Sequence, residues 1–294
     1  MTSPSELLRC PTCGAAVEVG REEASCRSGH SFPVTGGVVV LVDEERIAAD
    51  PQYERQRRYF DAEFAGYRSY RLENWRRSYL RRLRSARALG DGRAPIVDVG
   101  IGGSGYTVIE AARDGSPAVG CDLSLEGLAA ARRLAAAEGV ADRTLWVCCS
   151  AERLPLRSEA FGAALAIAVL EHVPDDRAAL SELARVLRLG GRAWVTVPHA
   201  LRHAWPIFRA PNRRHDRQLG HLRRYEAEGL VAAGEAAGLA AEDVQFTGHP
   251  IKVLQLAGAR LGDRFWWWCE QRDLRASQRR SGSMQLSVLF SRAR

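Results

Sequence analysis

The stretch Ile96-Val97-Asp98-Val99-Gly100-Ile101-Gly102-Gly103-Ser104-Gly105 decides the fold. An apolar run over 95–99 reads as a strand that enters a glycine turn, and 106–113 then reads as a helix. Glycines are needed where the backbone turns sharply and a ligand must approach it closely. The helix N-terminus that follows offers free N–H groups to a negative group. Gly100, Gly102 and Gly105 satisfy the G-x-G-x-x-G spacing of a dinucleotide site, so the turn alone leaves that reading open. Asp98 points elsewhere, because a carboxylate ahead of the glycines can orient the loop and face an amino acid's ammonium group. Asp122 ends the next apolar run, 118–122, where a carboxylate can accept hydrogen bonds from both ribose hydroxyls.

Outward from the turn, short apolar runs alternate with helical stretches. Ser124 caps a helix with Leu125, Leu128, Ala131 and Leu134 on one face. Residues 144–149 and 163–168 read as strands buried on both faces. Asp175 or Asp176 caps a helix with Leu180, Leu183 and Leu187 inward, stopped by Gly190-Gly191. Strands at 192–197, 243–247 and 286–291 and a helix at 226–237 complete the pattern. Such alternation predicts an α/β fold, a Rossmann-like, doubly wound and mainly parallel sheet. The connections 199–224 and 250–283 are longer than the fold needs and are expected to be substrate loops.

Residues 96–198 resemble the class I methyltransferase domain, in the branch with Leu-Pro and Leu-Glu-His-Val segments. The matching segments come in order: Asp98-Val99-Gly100-Ile101-Gly102, Gly120-Cys121-Asp122-Leu123-Ser124, and Ser150-Ala151-Glu152-Arg153-Leu154-Pro155. Phe161-Gly162, Val169-Leu170-Glu171-His172-Val173-Pro174-Asp175 and Arg185-Val186-Leu187-Arg188-Leu189-Gly190-Gly191 follow. The resemblance implies S-adenosyl-L-methionine as cofactor. It places Asp98, Gly100, Gly102, Gly105, Asp122, Leu123, Ser150, Ala151, Glu152 and Ala166 around that cofactor. Three positions depart from the family: Gly103-Ser104 lengthens the turn by one residue, Ser150 stands where an aspartate is usual, and Gly162 replaces the aspartate after Phe161.

Residues 1–45 have another character. Cys10, Cys13, Cys26 and His30 give C-x₂-C-x₁₂-C-x₃-H, the four soft ligands of a closed structural zinc site, so a small zinc ribbon is expected. A segment this short needs a metal to fold. The spacing resembles the ribbon of bacterial guanine-N1 methyltransferases of ribosomal RNA, while residues 32–38 resemble small zinc-ribbon activators of methyltransferases. Val38-Val39-Val40-Leu41-Val42 reads as a strand, and Asp43-Glu44-Glu45 marks a linker. Residues 46–90 are expected to form a helical cap or linker; the helices of 53–89 resemble the cap that covers the cofactor in the methyltransferase family, from which Tyr67, Tyr70 and Trp75 are expected to reach the site. The break Gly90-Asp91-Gly92 opens the methyltransferase domain, 91–294.

Hydrophobic residues make up 46% and charged residues 26%, the balance of a soluble globular protein. The longest apolar stretch, 161–170, is too short to cross a bilayer, and no basic-then-apolar leader opens the sequence; a cytoplasmic location is expected. Cys121, Cys148, Cys149 and Cys269 sit in apolar or aromatic surroundings and read as small core residues. The net charge of +7 and pI of about 9.3 favour anionic partners, through an arginine excess in which Lys252 is the sole lysine.

On the acceptor side, His172 follows the fourth strand near the expected methyl end, and His221 with Tyr225 form the preferred reacting pair. Arg213, Arg214, Arg217, Arg223 and Arg224 could grip a carboxylate, phosphate or RNA backbone. Phe265-Trp266-Trp267-Trp268 reads either as a substrate wall or as packing of a C-terminal helix. Three functions stand side by side: methyl transfer to O, N or C of a small molecule, methylation of an RNA base, and a non-catalytic cofactor-binding or partner role. The third is motivated by the departures at Ser150 and Gly162.

Overall fold

A computed structural model of the chain describes residues 3–90, 92–258 and 261–293. Asp91, in the expected break, and Ala259 and Arg260, in the expected second loop, lie outside the described residues. The N-terminal part forms β1 (Val17–Val19), β2 (Glu23–Cys26), β3 (Ser31–Thr35) and β4 (Val38–Val40), then α1 (Glu44–Ala49), α2 (Pro51–Phe64) and α3 (Asn74–Ser85). Next come β5 (Ile96–Val99), α4 (Tyr106–Arg113), β6 (Ala118–Asp122), α5 (Leu125–Ala137), β7 (Thr144–Cys148), β8 (Phe161–Ile167), α6 (Asp176–Val186) and β9 (Leu187–Pro198). The chain continues with α7 (Pro206–Leu219), α8 (Ala227–Ala236), β10 (Leu239–Thr247), α9 (Ile251–Ala257), α10 (Gly262–Arg275) and β11 (Gln285–Arg292).

The strands join in one sheet of order β1-β2-β3-β4-β7-β6-β5-β8-β9-β11-β10. Strands β4, β7, β6, β5, β8 and β9 run parallel, while β11 and β10 close one edge antiparallel. Apolar side chains alternate between two cores: Val97, Val99 and Ala164 face one, and Ile96, Ala163 and Leu165 the other. Strand order reverses between β5 and β8, which opens a crevice at their C-terminal ends, the usual ligand position in such sheets.

The expected ribbon does not stand apart from the sheet. Val39 and Val40 of β4 pair in parallel with Val147 and Cys148 of β7. The valine run lacks alternation because Val38 and Val39 are both fully buried, one in each core.

Two boundaries differ from expectation. The helix expected to stop at Gly190-Gly191 ends at Val186, and Leu187 opens β9, fully buried. Gly190, with φ of 70°, instead sits at the irregular start of that strand, where its register against β8 shifts. The expected loop 199–224 contains the fourteen-residue helix α7. Pro206 occupies the first turn of that helix, where proline is tolerated, and Gly220 ends it in a left-handed conformation. The expected loop 250–283 likewise holds α9 and α10. Among the described residues no helix is long and apolar enough to cross a membrane.

Candidate functional site

Strand β5 delivers Asp98 into the crevice. It is 3% exposed, and Thr107 of α4 donates to its Oδ2, while Oδ1 has no hydrogen-bond partner. Burial pushes this carboxyl up to about 8. A buried carboxylate oxygen without a donor is costly unless a cationic or N–H group meets it.

The turn then folds onto β6: the amides of Gly100 and Ile101 donate to Cys121 O at 2.7 and 3.3 Å. Asp122 receives Gly102 N on Oδ2 at 3.2 Å and Ser124 N on Oδ1 at 2.9 Å. Burial raises its carboxyl to about 6. Gly105 caps α4 at φ of 52°, and a Cβ there would lie 2.7 Å from the Trp146 ring and 2.9 Å from Ala131. Glycine at this position therefore serves the packing of a buried tryptophan as well as the turn.

Helix α2 lies across the crevice as a strap. Tyr53 is buried, with its hydroxyl 3.3 Å from Ser150 Oγ. Gln52 Nε2 donates to His172 O and Gly220 O, and Gln56 Nε2 to Leu219 O at 2.9 Å. Asp61 accepts from Ser124 Oγ at 2.6 Å. Phe64 covers the turn so closely that a Cβ on Gly103 would meet it at 2.7 Å. Phe60 stacks on Phe64 and sets its edge against His172.

Helix α2 thus reaches the site through Tyr53, Phe60 and Phe64. Of the three residues expected to do so, Tyr67 meets Phe64 edge-on, whereas Tyr70 donates to Glu110 of α4 and Trp75 is half exposed against Tyr106. The missed signal was the Tyr53/Phe60/Phe64 spacing ahead of them, which reads as an ordinary amphipathic face.

Other expected cofactor positions divide. Ser150 lies at the crevice and accepts Glu152 N at 3.2 Å, with Ala151 half-buried beside it. The Glu152 carboxylate accepts Asp175 N at 2.7 Å and so serves the next loop. Ala166 is buried in β8 opposite Val99, and Leu123 is half-buried after β6.

On the acceptor side His172 and His221 are brought together, their rings 4.7 Å apart and edge to face. Asp216 lies 2.8 Å from His221 Nδ1 and also receives Arg224 on both oxygens. Burial, helped by His221, lowers His172 to about 3, far from the near-neutral value that suits a general base. The expected pair of His221 and Tyr225 is not formed. Tyr225 is buried, and its hydroxyl donates to Leu170 O at 2.9 Å and Asp176 Oδ2 at 2.7 Å, which fixes loops.

Arg223 binds Asp176 and Pro174 O and Arg224 binds Asp216, so neither is free to grip a ligand; Arg213, Arg214 and Arg217 are exposed on α7. Trp266 and Trp267 are half-buried beneath Lys252 and Arg81, and Trp268 is exposed beside Arg272.

Cys10, Cys13, Cys26 and His30 come together at the far edge of the sheet. Cys10 Sγ and Cys26 Sγ lie 3.6 and 3.4 Å from His30 Nδ1, and Cys13 Sγ lies 3.6 Å from Cys26 Sγ. The edges of a tetrahedron around zinc with such ligands are about 3.5–3.8 Å. Arg9 N donates to Pro155 O and Arg157 N to Leu7 O, so this edge is bonded to the loop that follows Ser150.

The sheet, the reversal and the carboxylate-flanked turn define the α/β Rossmann-like fold of class I methyltransferases, and comparison with known proteins agrees. Residues 97–195 match the family described as "Methyltransferase domain". The chain is 36% identical over 104 residues to the tRNA 5-carboxymethoxyuridine methyltransferase of Escherichia coli (strain K12), covering 35% of this chain and 40% of that one. It therefore spans less than half the length of that curated relative. The structure of geranyl diphosphate C-methyltransferase from Streptomyces coelicolor A3(2) superposes with a TM-score of 0.60 at 19% identity, over 83% of this chain and 99% of the other. The [4+2]-cyclase SpnF superposes with a TM-score of 0.54 at 23% identity, over 75% and 83%.

Proposed function

We propose that this protein transfers the methyl group of S-adenosyl-L-methionine to a small molecule. The observation that carries the reading is Asp98, a buried carboxylate with one oxygen unmet, set between a glycine turn and a second strand-end carboxylate. The cofactor's ammonium group fits that unmet oxygen, and its ribose fits the end of β6 beside Asp122. The bound cofactor supplies an electrophilic methyl on a sulfonium. The chain's own residues bind and orient: Asp98 and the turn fix the amino-acid end, while Tyr53 and Ser150 close the adenine side. Phe60 and Phe64 exclude water from the turn, and positioning of this kind supplies much of the rate in an in-line displacement. Ala151, Glu152, Leu123 and Ala166 complete the proposed cofactor surround.

Residues 1–45 are proposed as a structural zinc ribbon with Cys10, Cys13, Cys26 and His30 as ligands, residues 46–90 as the cap and 91–294 as the catalytic domain. The curated relative named for a tRNA nucleoside, together with the basic surface that includes Arg213, Arg214 and Arg217, favours RNA as the second reading. The cyclase with this fold keeps a role other than methyl transfer in view.

Calorimetric titration with S-adenosylhomocysteine, followed by methyl-label transfer to metabolite and RNA fractions, tests the reading. Binding and label in a metabolite fraction are expected. Label in RNA would replace the acceptor class, and a chain that binds NADH but not the homocysteine would lose the whole assignment.

A further inference from the structure

Beside the cofactor crevice, the loop after β8 and the segment after α7 bring Glu171, His172 and His221 together, with one ligand atom from each inside a mutual separation of 4.8 Å. Two of the polar atoms in this group are buried and have no protein partner. Glu171 is 1% exposed and its Oε2 meets no donor, and His172 Nδ1 is equally unmet. Unpaired buried polar atoms are rare in a native protein, and two within one cluster require a common explanation. His221 supplies it. Its Nδ1 lies 2.8 Å from Asp216, a carboxylate held in place by Arg224. With Nδ1–H donated to Asp216, Nε2 carries the lone pair. A carboxylate behind an imidazole is the arrangement that orients histidines on metals and raises their basicity.

We propose that Glu171, His172 and His221 form a second metal site, for a divalent first-row transition ion, and that this ion holds the acceptor. Two imidazoles and one carboxylate on one side of an ion leave its other positions open, unlike the four-ligand ribbon. The open positions suit an acceptor with two adjacent oxygens, such as a vicinal diol, a hydroxy-ketone or a catechol. The ion lowers the pKa of the bound hydroxyl. Its proton passes to water, the oxygen lone pair forms the new bond to the methyl carbon, and the carbon–sulfur pair stays on sulfur. Phe60 stacks on Phe64, which covers the glycine turn, and packs against His172, so one aromatic row of α2 links the cluster to the turn. The acceptor assignment rests on the methyl-transfer reading, whereas the metal site itself does not.

The test is titration of Mn²⁺ into the full chain with its ribbon loaded with zinc, followed by loss of the free-ion paramagnetic resonance signal. One Mn²⁺ per chain is expected in the wild type. Glu171→Gln and His221→Gln should weaken it beyond detection, and Asp216→Asn by about 10–100-fold, the effect of removing a carboxylate behind a ligand. Zinc content measured in the same samples should stay unchanged in all three variants, which separates this site from the ribbon. Circular dichroism checks folding, and Glu171→Gln, nearly the same shape, decides the matter where the histidine variant is unfolded. No binding by the wild type at millimolar Mn²⁺, equal binding by Glu171→Gln, or loss of zinc in step with Mn²⁺ across the variants would each overturn the proposal. S-adenosylhomocysteine titrated into the same samples separates the two readings, because a chain that binds it without Mn²⁺ keeps the methyl-transfer reading and loses only the metal.

Discussion

Two regions of the molecule that gather potential ligands are built in opposite ways. Cys10, Cys13, Cys26 and His30 lie within 21 residues of sequence, at the far edge of the sheet, and their spacing announces them. The crevice draws on α2, the turn after β5, the ends of β6 and β8, and the segment after α7. One depends on a hairpin and what it can chelate. The other depends on the whole sheet being in register, so damage to each should show in a different measurement.

The largest effect is expected at the edge. Cys26→Ser, or a strong chelator, should remove one zinc per chain and melt the ribbon. A structural zinc in a small finger contributes about 10 kcal/mol at neutral pH, so the loss should appear as a separate early unfolding step in calorimetry. A single unchanged transition would remove the metal from the account of this edge.

Gly105→Ala strikes the crevice instead. The new methyl group meets Trp146 at 2.7 Å in a left-handed conformation, which predicts a cost of about 2–4 kcal/mol in urea unfolding. Loss of S-adenosylhomocysteine binding should accompany it, with zinc content unchanged.

A pH effect of comparable size is expected at the same crevice. Burial holds Asp98 at about 8, above the value of about 3.9 in an unfolded chain. The native state therefore keeps a proton that the unfolded chain has released. Stability contributed by this proton is full below about pH 4 and declines as pH rises to about 8. Asp98→Asn should flatten that decline in urea titrations between about pH 5 and pH 8. A slope identical to wild type would mean that Asp98 is ionised throughout.

Tyr225→Phe is expected to act least. It deletes the bonds to Leu170 O and Asp176, for about 1–2 kcal/mol in thermal melts, and should change methyl-transfer rates by less than a few-fold. A loss of rate at unchanged stability would return Tyr225 to the reacting groups.

The glycine turn, Asp122 and the strand–helix alternation were legible because each follows a local rule: a turn that needs glycine, a strand end, a period of apolar residues. The cysteine spacing was legible for the same reason. Helix α7 was not, since Pro206 and Pro211 mask it and no side chain of α7 is fully buried to mark a face. The strap was hidden because Tyr53, Phe60 and Phe64 look like any amphipathic face until Ser150, His172 and Gly103 are placed opposite them. Histidine pairing failed similarly. His221 and Tyr225 are neighbours in sequence, yet Asp216 and Asp176 turn them towards different partners.

The parallel pairing of β4 with β7 bears on how the chain folds during synthesis. The antiparallel pairs β1–β2 and β2–β3 can form as soon as they leave the ribosome, because their contacts are local. Val39 must then wait for Val147, about 100 residues later, before its last backbone partners exist. Until then β4 is a bare valine edge, the kind of strand that invites pairing with another chain. A nascent chain stalled before β7 should therefore be prone to aggregate, and the pairing that enlarges the sheet also sets the point in synthesis at which its N-terminal edge becomes safe.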